Sequence, residues 1–125
     1  MISKKDHTLL VAINETIPPA EIVNSLRTSK YNLLESQTGE DILQKLCDHQ
    51  EIDLILMSID VPGMNGINTI LAIRKQHIKT PIILLLNHLT IESIRLASQI
   101  GCNEVLQSPV NKESLEAVIL KYLKD

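Results

Sequence analysis

Phenylalanine and tryptophan are both absent from this 125-residue chain, and tyrosine occurs only twice. Any core must therefore be aliphatic and tightly interlocked. Cysteine is nearly as scarce: Cys47 and Cys102 are too few and too far apart for a disulfide framework or a zinc site. The expectation is two reduced thiols in or near the core of a cytoplasmic protein. No apolar run reaches the length of a membrane span, and no charged-then-apolar leader precedes a cleavage site. Charge of one sign is also missing, since the formal net charge is −3 and the pI is near 5.8. The basic residues are scattered, with Lys4-Lys5 near the start and Arg74-Lys75 further on. Direct nucleic-acid binding and attachment to a membrane surface both favour clustered Lys and Arg, so neither is expected. There is no internal repeat, linker or low-complexity segment. A single domain over residues 1–125, large enough for one core, follows.

What is present is a series of apolar runs of strand length, each followed by a helical pattern. Thr8 to Ile13 reads as a first buried strand. Pro18-Pro19 suits the entry of a helix, because the N–H that proline lacks is unpaired there anyway. That helix runs to about Ser29, with Ile22, Val23 and Leu26 on one face. Tyr31 to Glu35 is a short, partly polar strand and belongs towards a sheet edge. Thr38 and Asp41 have the spacing of a capping box before Ile42, Leu43, Leu46 and Cys47. Leu54 to Met57 is a central strand ending at Ser58, which faces the carboxyl edge of the sheet. Pro62-Gly63 then turns the chain, and a helix follows from about Asn65-Gly66 with Ile67, Ile70, Leu71 and Arg74.

Pro81 to Leu86 is a second central strand. Thr90 caps a fourth helix carrying Ile91, Ile94 and Ala97, of which Ile94 and Ala97 are its core set, and Gly101 ends it as a left-handed cap. Glu104 to Gln107 is the fifth strand. Asn111 caps a last helix with Leu115, Val118, Ile119 and Tyr122 on one face. Five strands alternating with five helices predict an α/β fold with right-handed crossovers, a doubly wound parallel sheet.

At this point the sequence resembles a response-regulator receiver domain over nearly its whole length. The pieces that carry the resemblance are Leu54 to Ser58, then Pro62-Gly63-Met64-Asn65-Gly66. They are joined by Thr38-Gly39-Glu40, Thr80-Pro81-Ile82-Ile83, Ala97 to Cys102, and Ser108-Pro109. Five such pieces in order at the right spacing are specific. The resemblance implies a receiver-like, flavodoxin-like sheet of order 2-1-3-4-5.

It also implies a chemistry whose parts this chain lacks. Receivers accept a phosphoryl group on an aspartate, with an acidic pair holding magnesium, a hydroxyl residue after strand four and a lysine after strand five. On the matching positions stand Ser58 for the acceptor, Ile13 and Asn14 for the acidic pair, Leu86 for the hydroxyl residue and Ser108 for the lysine. Val105 occupies the place of the aromatic switch residue. Close carboxylates repel one another without a metal, so replacing them all removes that repulsion. No magnesium or other cofactor is expected. Ser58 lacks the Gly-x-Ser-x-Gly elbow of an enzyme nucleophile, and no enzymatic activity is expected. His88 reads as a solvated loop residue, while His7, His49 and His77 show no metal-ligand spacing.

The resulting expectation is a degenerate pseudo-receiver in a signalling pathway, acting through protein–protein contact. In receivers the face built from the fourth helix, fifth strand and fifth helix serves dimers and output partners. Here that face includes Leu96, Ile100, Val105, Gln107 and Leu120, for a signalling partner or a second copy. Leu96 and Leu120 are expected on the outer faces of their helices. Two other readings stay open. One is phosphotransfer on Asp60, with Glu15 beside it. The other is a small-molecule binder at the carboxyl edge, where Asn14, Ser58, Asn87 and Ser108 offer polar groups.

Overall fold

The computed structural model describes residues 7–12, 31–49, 51–59, 63, 65–107 and 111–123. Within them the order is β1 (His7–Ala12), β2 (Tyr31–Glu35), α1 (Gly39–Asp48), β3 (Ile52–Ser58), α2 (Gly66–Lys75), β4 (Ile82–Leu86), α3 (Ile91–Ile100), β5 (Glu104–Gln107) and α4 (Lys112–Tyr122). The strands form one parallel sheet in the order β2-β1-β3-β4-β5. Four helices are thus present among the described residues, where the sequence suggests five. The expected helix between Pro18 and Ser29 lies outside them, as does Ile13 at the end of the first strand.

Strand periodicity sorts the apolar runs onto two faces. Leu10, Ala12, Ile55, Met57, Ile82, Leu84 and Leu86 join α1, α2 and α3 in one core. Their neighbours Leu9, Val11, Leu54, Leu56, Ile83 and Leu85 form a second core with Tyr31 of β2 and with Leu115 and Ile119 of α4. This explains why the runs Leu9–Ala12, Leu54–Met57 and Ile82–Leu86 are apolar throughout, since both faces of the sheet are covered there. Both cores are almost wholly aliphatic. Tyr31 is the only aromatic side chain buried among the described residues.

The helices start where short polar side chains can take their free N–H groups. Thr38 accepts from Asp41 N at α1, Asn65 from Asn68 N at α2, and Asn111 from Ser114 N at α4. Asp41 does not reach back towards Thr38 to close a box. Its carboxylate pairs with Lys45 one turn on, which holds it below the usual carboxylate range. The full box forms instead at α3, between Thr90 and Ser93. Gly66 is required by close approach: its N–H donates to Ile59 O at 2.6 Å, and a Cβ there would sit 2.7 Å from the Ile59 backbone. That contact folds the start of α2 back against the exit of β3.

Ile94, expected in the core, proves to be 43% exposed, and two other apolar residues that mark their helices, Ile91 and Leu71, are 75% and 46% exposed. Cys47 is exposed and Cys102 half-buried. In α1 the buried positions are Ile42 and Leu46, so Cys47 points past them. In α2 the buried stripe runs through Thr69, Ile70 and Ile73, and Leu71 lies off it. In α3 Ala97 is the one buried residue. A small side chain lets the helix approach the sheet closely while its isoleucines overhang the edge.

Candidate functional site

Two regions bear on function. The first is the carboxyl edge of the sheet. Ser58, the last residue of β3, is 0% exposed, and Leu86 at the end of β4 is 4% exposed. The two lie close across the sheet, since Ser58 pairs in register with Leu85. Asn87 and His88 follow on the surface. Of the expected pocket positions, Ile13, Asn14 and Ser108 lie outside the described residues, as do Glu15 and Asp60. The two described positions therefore bring one buried hydroxyl and one buried aliphatic side chain. Magnesium takes carboxylate, phosphate and water oxygens in an octahedral shell, and this pair does not fit it. Among the described residues no three His, Cys, Asp or Glu side chains converge as a metal site.

The second region is the flank of α3 that faces β5. Ile91, Ile94, Arg95, Ser98 and Gln99 line a shallow concavity of about 510 Å³. It continues through Ile94 and Ser98 into a cleft of about 180 Å³ against Cys102, Asn103 and Val105. Ile94, Ala97 and Ser98 are thus residues of α3 that adjoin β5. Leu96 is 41% exposed, but it lies two residues, or about 200° of helix rotation, from Ile94. It therefore belongs to the flank away from β5. The same geometry separates Leu120 from Tyr122 in α4. The Tyr122 hydroxyl lies 2.8 Å from Glu104 Oε1 and 2.9 Å from Asn103 O, facing β5, whereas Leu120 is 57% exposed on the opposite flank. Leu96 and Leu120 are both at the surface and not in one patch. Ile100 and Val105 pack in part against the first core, with Val105 also lining the cleft.

Polar contacts frame this face. Gln107 Oε1 accepts a hydrogen bond from Leu89 N at 2.8 Å, just before α3 begins. At the other end of α3, Gly101 adopts φ +103°, and a Cβ there would run into the Arg74 side chain. Arg74 donates to Gly101 O through Nε at 3.0 Å and Nη2 at 2.9 Å, and to Ile78 O at 2.7 Å. It also reaches Asn103 Oδ1 at 2.9 Å, which takes the Ile82 N–H as well. Burial lowers the Arg74 pKa and raises that of the Cys102 thiol beside it. Burial and the Glu104 carboxylate push Tyr122 up to about 12. Sequence reasoning missed Arg74, Asn103 and Gln107 as fasteners. Their partners lie 18 or more residues away, apart from Ile78, so no local pattern announces them.

The five-stranded parallel sheet of order β2-β1-β3-β4-β5 is the receiver-like architecture that the sequence resembles. The family model described as "Response regulator receiver domain" matches residues 10–120. The chain belongs to that family. It is 32% identical over 99 residues to the transcriptional regulatory protein CpxR of Escherichia coli K12, covering 79% of this chain and 41% of CpxR. It therefore spans about two fifths of that relative's length. Among solved structures it matches the chemotaxis protein CheY4 of Vibrio cholerae with TM-score 0.82 and 24% identity, over 94% and 99% of the two chains. The Francisella response regulator 1452 receiver domain matches with TM-score 0.85 and 21% identity, over 93% and 95%. These two likenesses establish the fold. No helix among the described residues is long and apolar enough to cross a membrane.

Proposed function

We propose that this receiver domain is not phosphorylated on aspartate and acts by protein–protein contact in a signalling pathway. The observation that carries the reading is Ser58, the residue that stands where receivers keep their acceptor, fully enclosed in the sheet. A serine hydroxyl needs a base to become a nucleophile, and a fully buried one is closed to a phosphodonor. Leu86 beside it adds an aliphatic wall where the family pattern has a hydroxyl. The pocket is then a piece of core, free of magnesium, and the domain catalyses no reaction. In this reading it works in the cytoplasm, without contacts of its own to membrane or nucleic acid.

The working surface would be the face formed by α3, β5 and α4, where a signalling partner or a second copy of the chain docks. Support comes from Ile91 and Ile94, which leave apolar area in water beside a cleft. Large contiguous apolar area at a protein surface commonly marks an interaction site. The test is incubation with acetyl phosphate and Mg²⁺, followed by intact mass. An unchanged mass is expected. Gain of one phosphoryl group that hydroxylamine releases, as it does an acyl phosphate, would overturn the reading, and Asp60→Asn would then identify the acceptor.

A further inference from the structure

Two of the exposed leucines have no part in the flank that meets β5. Leu96 lies about 100° round α3 from Ala97, on the side away from Ile94, and that side faces α2. Arg74 marks where the two helices meet, since its guanidinium donates from α2 to Gly101 O at the end of α3. Leu71 stands one turn before Arg74 and is 46% exposed, against 41% for Leu96. Both helices return along the same face of a parallel sheet, so they run in the same direction. At about 1.5 Å per residue, Leu71 lies about 4.5 Å before the Arg74–Gly101 contact and Leu96 about 7.5 Å before it. The two leucines are therefore nearly level, side by side across the groove between α2 and α3.

Charges of opposite sign flank this pair at opposite corners. Lys75 is exposed in the last turn of α2, and Glu92 is exposed in the first turn of α3. By the same count each lies about 7.5 Å along the helices from the midpoint of the leucines, in opposite directions. Neither has an ion-pair partner among the described residues. Such a patch complements itself. A two-fold axis in the plane of contact, at right angles to the line from Lys75 to Glu92, seats each Lys75 against the other copy's Glu92 and gathers the leucines between them. We propose that the α2–α3 face is a docking surface for a second copy of this chain, with Leu71 and Leu96 at its centre and Lys75 and Glu92 on its rim. Four leucines make a small contact, so the association is weak and reversible. It uses neither β5 nor α4, and so it adds to the functional reading above without resting on it.

Sedimentation velocity on the chain, from about 10 μM to about 1 mM, reads the association directly. A reversible rise towards the dimer mass is expected, and Leu71→Asp should abolish it without changing thermal unfolding. Lys75→Glu sets like charges together at both corners of the contact, as does Glu92→Lys. Each alone should weaken the dimer by about tenfold. An equimolar mixture of the two variants should recover it, because the mixed dimer brings opposite charges together at both corners. A chain that stays monomeric throughout, or a dimer that either reversal leaves unchanged or that mixing fails to recover, overturns the proposal. A dimer formed through the β5 flank would ignore Lys75, so that result removes this surface and leaves the functional reading standing.

Discussion

The carboxyl edge of the sheet and the flank of α3 have exchanged the roles expected of an interior and a surface. At the edge, where the family pattern crowds charge, Ser58 and Leu86 are buried and uncharged. On α3, where a solvated helix ordinarily shows polar side chains, Ile91 and Ile94 stand in water. Burying neutral groups is cheap and burying carboxylates without a metal is costly, so the first change favours a stable core. Exposing isoleucines contributes nothing to that stability, so the second calls for another explanation. On the proposed reading, docking is the work of the face and packing is the work of the edge.

Substitutions that reverse the contrast should fail in proportion to the burial they violate. The largest effect is expected for Ser58→Asp, which places a carboxylate in an enclosed site. A loss of about 4 kcal/mol at neutral pH follows from the pKa elevation of a buried acid. The native state then favours the protonated acid, so stability should fall as pH rises above the unfolded value near 4 and recover on acidification. Denaturant unfolding at two pH values checks both statements, and a variant as stable as the parent would break the comparison.

Leu86→Thr restores the residue type of the family pattern and should cost about 2 kcal/mol, because it opens a cavity and buries a hydroxyl. Unchanged stability in the same assay would mean that the site is looser than the packing implies. Tyr122→Phe, on the α4 side of the proposed docking face, should cost about 1 kcal/mol by removing the contacts to Glu104 and Asn103. Tyr122 titrates near 12 in the folded protein and near 10 when unfolded. Its contribution is complete below pH 10 and disappears as pH rises towards 12. The variant should show a flatter stability profile across that window. The smallest effect belongs to Ile91→Asp and Ile94→Asp, each within about 0.5 kcal/mol of the parent. Their thermal unfolding should be unchanged while partner capture or self-association is lost.

Much of this fold is legible in the sequence because its strands are short and uniformly apolar. Tyr31–Glu35 and Glu104–Gln107 emerge with the expected bounds, and Ser58 closes β3 as its motif suggests. The α3 face is less legible for a physical reason. Helical spacing reveals which residues are apolar, but not which flank the sheet covers. Isoleucines and leucines lie on several sides of α3, and the side that meets the sheet is chosen by small Ala97. The Gln107 and Arg74 fasteners depend on tertiary approach, so nothing in their neighbourhoods hints at them. The family motif around Ser58, by contrast, is plain from the run itself.

The most direct test of the central claim is an amide NMR titration, first with Mg²⁺ and then with beryllofluoride, a mimic of the phosphorylated aspartate. The account predicts no saturable shifts at Ser58 or Asn87 and none in α3, up to concentrations that saturate metal-binding receivers. Saturable shifts at Ser58 and Asn87 that spread into α3 would mean that a carboxylate at the sheet edge still accepts, contradicting the account.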